Sequence, residues 1–236
     1  MAPGAEVAVD LSVSRRLQEP AGAGATDVVE RIVRHRLADR VLHWLTAICV
    51  LTLLGTAFLP ILGLDFSWVT IHWLTGGVLI IVVVFHALRA LLFQSVSSMW
   101  IGKADIKDAV ALARWSLRRD ERPPPKPGKY SFAQKLIHHL FTLVVLTAMG
   151  TGALMLTKID SPWWRSNPYW LSDGTWGVIY VLHDLAALLL ITMVMTHIYF
   201  ALRPEKLFFT RSMLLGWITR KEYGAHHDPA RWRVPE

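Results

Sequence analysis

The chain has 236 residues, 53% of them hydrophobic, with a mean hydropathy of +0.36, which excludes an ordinary soluble domain. Its single cysteine, Cys49, excludes an internal disulfide, an iron–sulfur cluster built on its own thiolates and a C-x-x-C-H site for covalent haem. The net charge of +7 reads as basic loops beside anionic lipid rather than as a nucleic-acid surface.

Residues 1–30 mix Ala, Gly and Pro with scattered acids and lack the apolar core of a cleavable signal, so they are expected to form a disordered cytoplasmic tail. Four apolar runs follow, at about 41–59, 69–93, 133–157 and 176–202, each long enough to cross a bilayer as a helix. Pro60, Gly63 and Asp65 link the first to the second. Residues 103–122 carry charges over an Ile106, Val110, Leu112, Leu117 stripe, the pattern of a cytoplasmic amphipathic helix. Arg122-Pro-Pro-Pro-Lys-Pro-Gly128 ends it, because proline cannot continue a helix. The chain therefore divides into a tail, an all-α four-helix transmembrane domain over 31–203, and a C-terminal tail over 204–236.

Lysine and arginine orient the bundle. Nineteen are accounted for by Arg31, Arg34, Arg36 and Arg40 just before the first span and by the segments 94–132 and 203–236, against Lys158 and Arg165 in the other two loops. By the positive-inside rule both termini are cytoplasmic. Trp44, Trp68, Trp73, Trp163, Trp164, Trp170 and Trp176 fall near span ends, as an aromatic belt does.

Two histidines on the fourth span, His183 and His197, are fourteen residues apart. At about 100° and 1.5 Å per residue they share one face to within about 40° and stand about 21 Å apart along the helix. Intramembrane histidine is costly unless paired or ligated, so this spacing points to two cofactor levels inside the bundle. Depth pairs His72 with His183 on the outer side and His43 with His197 on the cytoplasmic side. His86, fourteen residues after His72, competes with His43 for the inner place, and spacing alone leaves that choice open. With no C-x-x-C-H, haem at either level is of b type. Adjacent His138 and His139 point about 100° apart and read as interfacial polar residues, or as a proton donor to a quinone. His226 and His227 lie in the polar tail and read as solvated. Arg89, a turn beyond His86, reads as a cation for lipid headgroups or for a haem propionate.

The segments Asp39-Arg-Val-Leu-His-Trp44, Ile71-His-Trp-Leu-Thr-Gly76, Gly128-Lys-Tyr-Ser-Phe-Ala-Gln-Lys135, Val181-Leu-His183, His197-Ile-Tyr-Phe-Ala201 and His226-His-Asp-Pro-Ala-Arg-Trp232 resemble the gamma subunit of membrane-bound formate dehydrogenase, a dihaem cytochrome b. The isolated histidines are shared with hydrogenase-type cytochromes b. The resemblance implies two haem b groups, one on His43 and His197 and one on His72 and His183. It matches Arg89 to a family arginine and puts a quinone near the cytoplasmic haem, at Lys129, Tyr130, Ser131, Gln134 and His197. The family's Gly-Lys-Tyr-Asn-Ala-Gly-Gln-Lys segment has Asn where this chain has Ser131 and Gly where it has Ala133. It further implies an iron–sulfur beta subunit and a molybdopterin-type alpha subunit as partners, and a place in the bacterial inner membrane. The expected role is transfer of electrons from the periplasmic partner to a quinone reduced at the cytoplasmic face. The alternatives are the same scaffold serving another dehydrogenase such as a nickel–iron hydrogenase, or a standalone cytochrome b561-like reductase, which favours His72 and His86 on the second span with His183 and His197 on the fourth as ligands. A haem-free channel or metal transporter is disfavoured, because the spans lack a polar stripe to line a water path.

Overall fold

A computed structural model describes residues 30–93, 96–118 and 123–234. The expected tail over 1–30 lies outside them except for Glu30. Among the described residues four helices are long and apolar enough to cross a membrane. They are α1 (Leu37–Phe58), α2 (Trp68–Phe93), α4 (Phe132–Met155) and α5 (Asp173–Leu202), with the shorter α3 (Lys103–Arg118) between the two halves. At 26 residues α2 is about 39 Å long, more than a hydrocarbon core of about 30 Å. The observed spans start one to four residues earlier than the apolar runs, and the two largest extensions take Asp39 and Arg40 into α1 and Asp173 and Thr175 into α5. Ser131 caps α4 in a full capping box: its Oγ accepts from Gln134 N at 3.3 Å, and Gln134 Oε1 accepts from Ser131 N at 2.9 Å. Ser172 Oγ accepts from Thr175 N at 3.3 Å at the start of α5. Pro204 ends α5 by holding Arg203 extended.

The helices form two hairpins, α1 with α2 and α4 with α5, and α2 joins the hairpins by packing on α4. Cys49, Leu54, Leu79, Val145, Ala186 and Leu190 meet at the centre. Ile48, Ile81, Leu91 and Val181 are more than half exposed on the outside, an arrangement that suits lipid and not water.

At the end of the bundle that carries both flanking segments, the chain builds a small folded cap. Strand β1 (Arg31–Val33) pairs antiparallel with β2 (Trp217–Thr219), in the register Ile32 to Ile218. Helices α6 (Leu207–Leu215) and α7 (Arg220–His226) flank β2, so residues 204–234, expected as a tail, are folded against the start of α1. Gly216 makes the join. Its φ of +94 ends α6, and its carbonyl accepts from Arg34 N and His35 N at 2.8 and 3.0 Å. A Cβ there would stand 2.9 Å from both His35 O and Arg40 Nη1. Ion pairs Lys135–Asp105 and Arg231–Asp108 tie α3 to α4 and to the C-terminal segment. The opposite, loop end is aromatic. Trp164 Nε1 donates to Leu156 O and Ile159 O, Trp176 Nε1 donates to Pro168 O, and Trp73 meets the edges of Trp163 and Trp164.

Candidate haem sites

Antiparallel hairpins bring the start of α1 beside the end of α5, and the start of α2 beside the start of α5. The histidines meet accordingly. At the terminal end, the rings of His43 and His197 have centres 6.2 Å apart and planes inclined at 54°. At the loop end, His72 and His183 have the same separation, 6.2 Å, inclined at 68°. An iron held axially by two imidazoles, at about 2 Å from each ligating nitrogen, separates the ring centres by about 6 Å. The side chains present therefore fit a bis-histidine haem at each level.

The surroundings of the two levels differ. His72 Nδ1 lies 2.8 Å from Thr56 Oγ1 on α1, and His183 Nδ1 lies 2.9 Å from Thr151 Oγ1 on α4. Both threonines are buried. Gly152 lets the His183 ring approach α4, since a Cβ would stand 3.2 Å from its Cε1. At the terminal end Trp44 meets the edge of His43, and Phe141 the edge of His197. Among the described residues neither His43 nor His197 makes a ring hydrogen bond.

His86 is not brought to His197; the ring facing His197 belongs to His43. Arg89, a turn on, pairs with Asp39 at the start of α1, with Nη1 2.5 Å from Oδ1. His139 Nε2 meets Met99 O at 3.0 Å. Ser131 and Gln134 hold each other in the α4 cap, which leaves the serine hydroxyl hydrogen and the glutamine amide hydrogens for a ligand.

Residues just before α4 are bound into the cap through a cluster that sequence reading missed. Arg34 and His227, 193 residues apart, are 2% and 1% exposed. Arg34 Nη1 donates to His227 Nε2 at 2.8 Å, and Nη2 donates to Lys129 O at 2.8 Å. His227 Nδ1 donates in turn to Gly128 O at 2.7 Å. The Arg34 guanidinium also lies over the ring of Phe209, 4.7 Å from its centre. His227 is thus a buried strut, not the solvated tail residue expected. Burial pushes it down to about 4, against the help of its Gly128 bond and with that of the Arg34 charge. Burial likewise lowers Arg34 to about 10. His35 falls to about 4 through burial and then the Arg34 and Lys129 charges. Burial also lowers Lys129 and raises the Tyr130 phenol. A buried Arg and a buried His carry no periodic signal in a sequence; only the fold shows that they meet.

The family profile of prokaryotic cytochrome b561 matches residues 34–216, from Arg34 in the cap through all four spans. The chain belongs to that family. This cytochrome is 27% identical over 222 residues to a formate dehydrogenase cytochrome b556 subunit of Haemophilus influenzae, covering 86% of this chain and 82% of the relative. It is 26% identical over 217 residues to the formate dehydrogenase cytochrome b556(fdo) subunit of Escherichia coli K12, covering 86% and 92%. To the nitrate-inducible formate dehydrogenase cytochrome b556(Fdn) subunit of the same organism it is 24% identical over 215 residues, covering 85% and 89%. It is a multi-pass protein of the bacterial inner membrane with an electron-transfer role, and haem b is the cofactor its family implies.

Proposed function

We propose that this cytochrome is the membrane anchor of a formate dehydrogenase complex and carries electrons from a periplasmic iron–sulfur subunit, through two haem b groups, to a quinone reduced at the cytoplasmic face. Haem b, when bound, supplies one-electron chemistry between its ferric and ferrous states. His72 and His183 hold the outer group at the loop end, and His43 and His197 the inner group at the terminal end. The observation that carries this is the pair of equal 6.2 Å histidine separations, one at each end of the four-helix bundle.

The remaining assignments rest on charge and chemistry. Lysine and arginine crowd the terminal end, which supports placing it in the cytoplasm. The partners, an iron–sulfur subunit and a molybdopterin-type catalytic subunit, are inferred from the relatives' names as formate dehydrogenase subunits. The quinone pocket is assigned to Lys129, Tyr130, Ser131 and Gln134, near His197. There the Ser131 hydroxyl and the Gln134 amide donate to quinone carbonyl oxygens, and protons come from the cytoplasm. Arg89, already paired with Asp39, is the cation assigned to an inner propionate.

In membranes that hold the assembled complex, Ser131→Ala, Gln134→Ala and Lys129→Ala are expected to slow formate-driven quinol formation with haem content intact. Normal turnover in all three variants would move the pocket elsewhere.

A further inference from the structure

Thr56 and Thr151 occupy equivalent places in the two hairpins. Each sits on the first helix of its hairpin and meets a histidine of the second. Each hydroxyl also lies close to carbonyls of its own helix: Thr56 Oγ1 is 2.9 Å from Thr52 O and 3.0 Å from Leu53 O, and Thr151 Oγ1 is 2.7 Å from Thr147 O and 3.1 Å from Ala148 O. Two oxygens at such distances repel unless a hydrogen lies between them, and the hydroxyl's is the only one present. The hydroxyl hydrogen therefore goes to the carbonyls, and its oxygen is left to accept. The hydrogen of the Thr–His bond must then belong to Nδ1. With Nδ1 protonated in the neutral ring, Nε2 keeps its lone pair.

We propose that Thr56 and Thr151 are positioning residues that lock His72 and His183 in the Nδ1–H tautomer, with Nε2 free to ligate, and hold the loop-end haem at a lower potential than the terminal-end haem. A ligating imidazole that donates its other N–H becomes more basic. A more basic ligand favours ferric over ferrous iron, and so lowers the potential. The terminal-end histidines have no ring hydrogen bond among the described residues, so only one level receives this bias. The resulting order sends electrons from the loop end toward the terminal end. This rests on the assignment of a haem to His72 and His183.

The test is a redox titration of the purified holoprotein, with haem counted per chain, in Thr56→Val, Thr151→Val and the matching serine variants. The valine variants are expected to shift only the lower-potential component, upward, with two haems retained and a changed low-spin EPR signature. The serine variants should restore both readouts. Should a valine variant lose one haem while its serine counterpart keeps two, the hydroxyl is still the group required. Unchanged potentials in valine variants that retain two haems would overturn the proposal, as would equal shifts in both components. Haem loss in both the serine and the valine variants would do so too. If His72→Ala and His183→Ala each keep two haems, the loop-end haem assignment falls instead.

Discussion

The two histidine levels share one geometry and differ in what holds it. At the loop end each imidazole is braced inside the bundle by a buried threonine, and one ring also needs the bare backbone of Gly152. At the terminal end the rings lean on aromatic edges, and the polar order lies outside the bundle, in a cap whose centre is Arg34 and His227. One level is thus shaped by contacts within the spans. The other sits under a separate folded unit that also grips the segment preceding α4, through Lys129 O and Gly128 O. Four apolar helices supply a similar frame to both levels, and a few side chains make them unequal.

Breaking the loop-end level alone gives the largest effect. In Gly152→Ala the new methyl group would meet His183 Cε1 at 3.2 Å and push the ring off Thr151. Haem content is expected to fall from two toward one per chain, read by the haemochrome assay, with the terminal-end spectrum unchanged. Breaking the cap should spare that level. Arg34→Met strands His227 Nε2 and Lys129 O as buried acceptors, and is expected to destabilise the cap by about 2–4 kcal/mol. Limited proteolysis would then cut within 204–234 while both haems remain.

Acid should separate the levels more gently. His35 and His227 are both pushed down to about 4, so they are neutral in the fold and take up a proton when the cap opens. Cap stability is therefore complete above a pH of about 6.5, falls as the pH drops from there, and has lost this contribution by about 4. Hydrogen exchange of residues 204–234 should accelerate over that window, ahead of the spans, and His227→Gln should flatten the response. The smallest effect is at the α4 cap, where Ser131→Asp keeps an acceptor for Gln134 N and should leave thermal stability within about 0.5 kcal/mol, while Ser131→Ala costs about 1 kcal/mol.

Much of this contrast follows from one periodicity and part of it does not. The apolar runs are long and uninterrupted, so four spans were legible to within a few residues. The fourteen-residue spacing put His183 and His197 at two depths, because a helix repeats its direction and rise regularly. The choice between His43 and His86 needed resemblance, since both lie near one surface, and the structure brings His43 to His197. Thr56 and Thr151 were not legible: a threonine in an apolar helix ordinarily bonds its own backbone, as these do, and only the hairpin shows that the hydroxyl oxygen also meets an imidazole. The cap was hidden for a different reason. Its strands are three residues long and their partner lies across the whole bundle, so no local pattern announces them.

The most direct measurement is the number of haem b groups per chain in the purified cytochrome and in two single variants, His43→Ala and His72→Ala. Two histidine pairs predict two haems in the parent and one in each variant, the first lacking the terminal-end spectrum and the second the loop-end spectrum. A parent with fewer than two haems, or a His43→Ala variant that still holds both while His86→Ala loses one, would contradict the pairing.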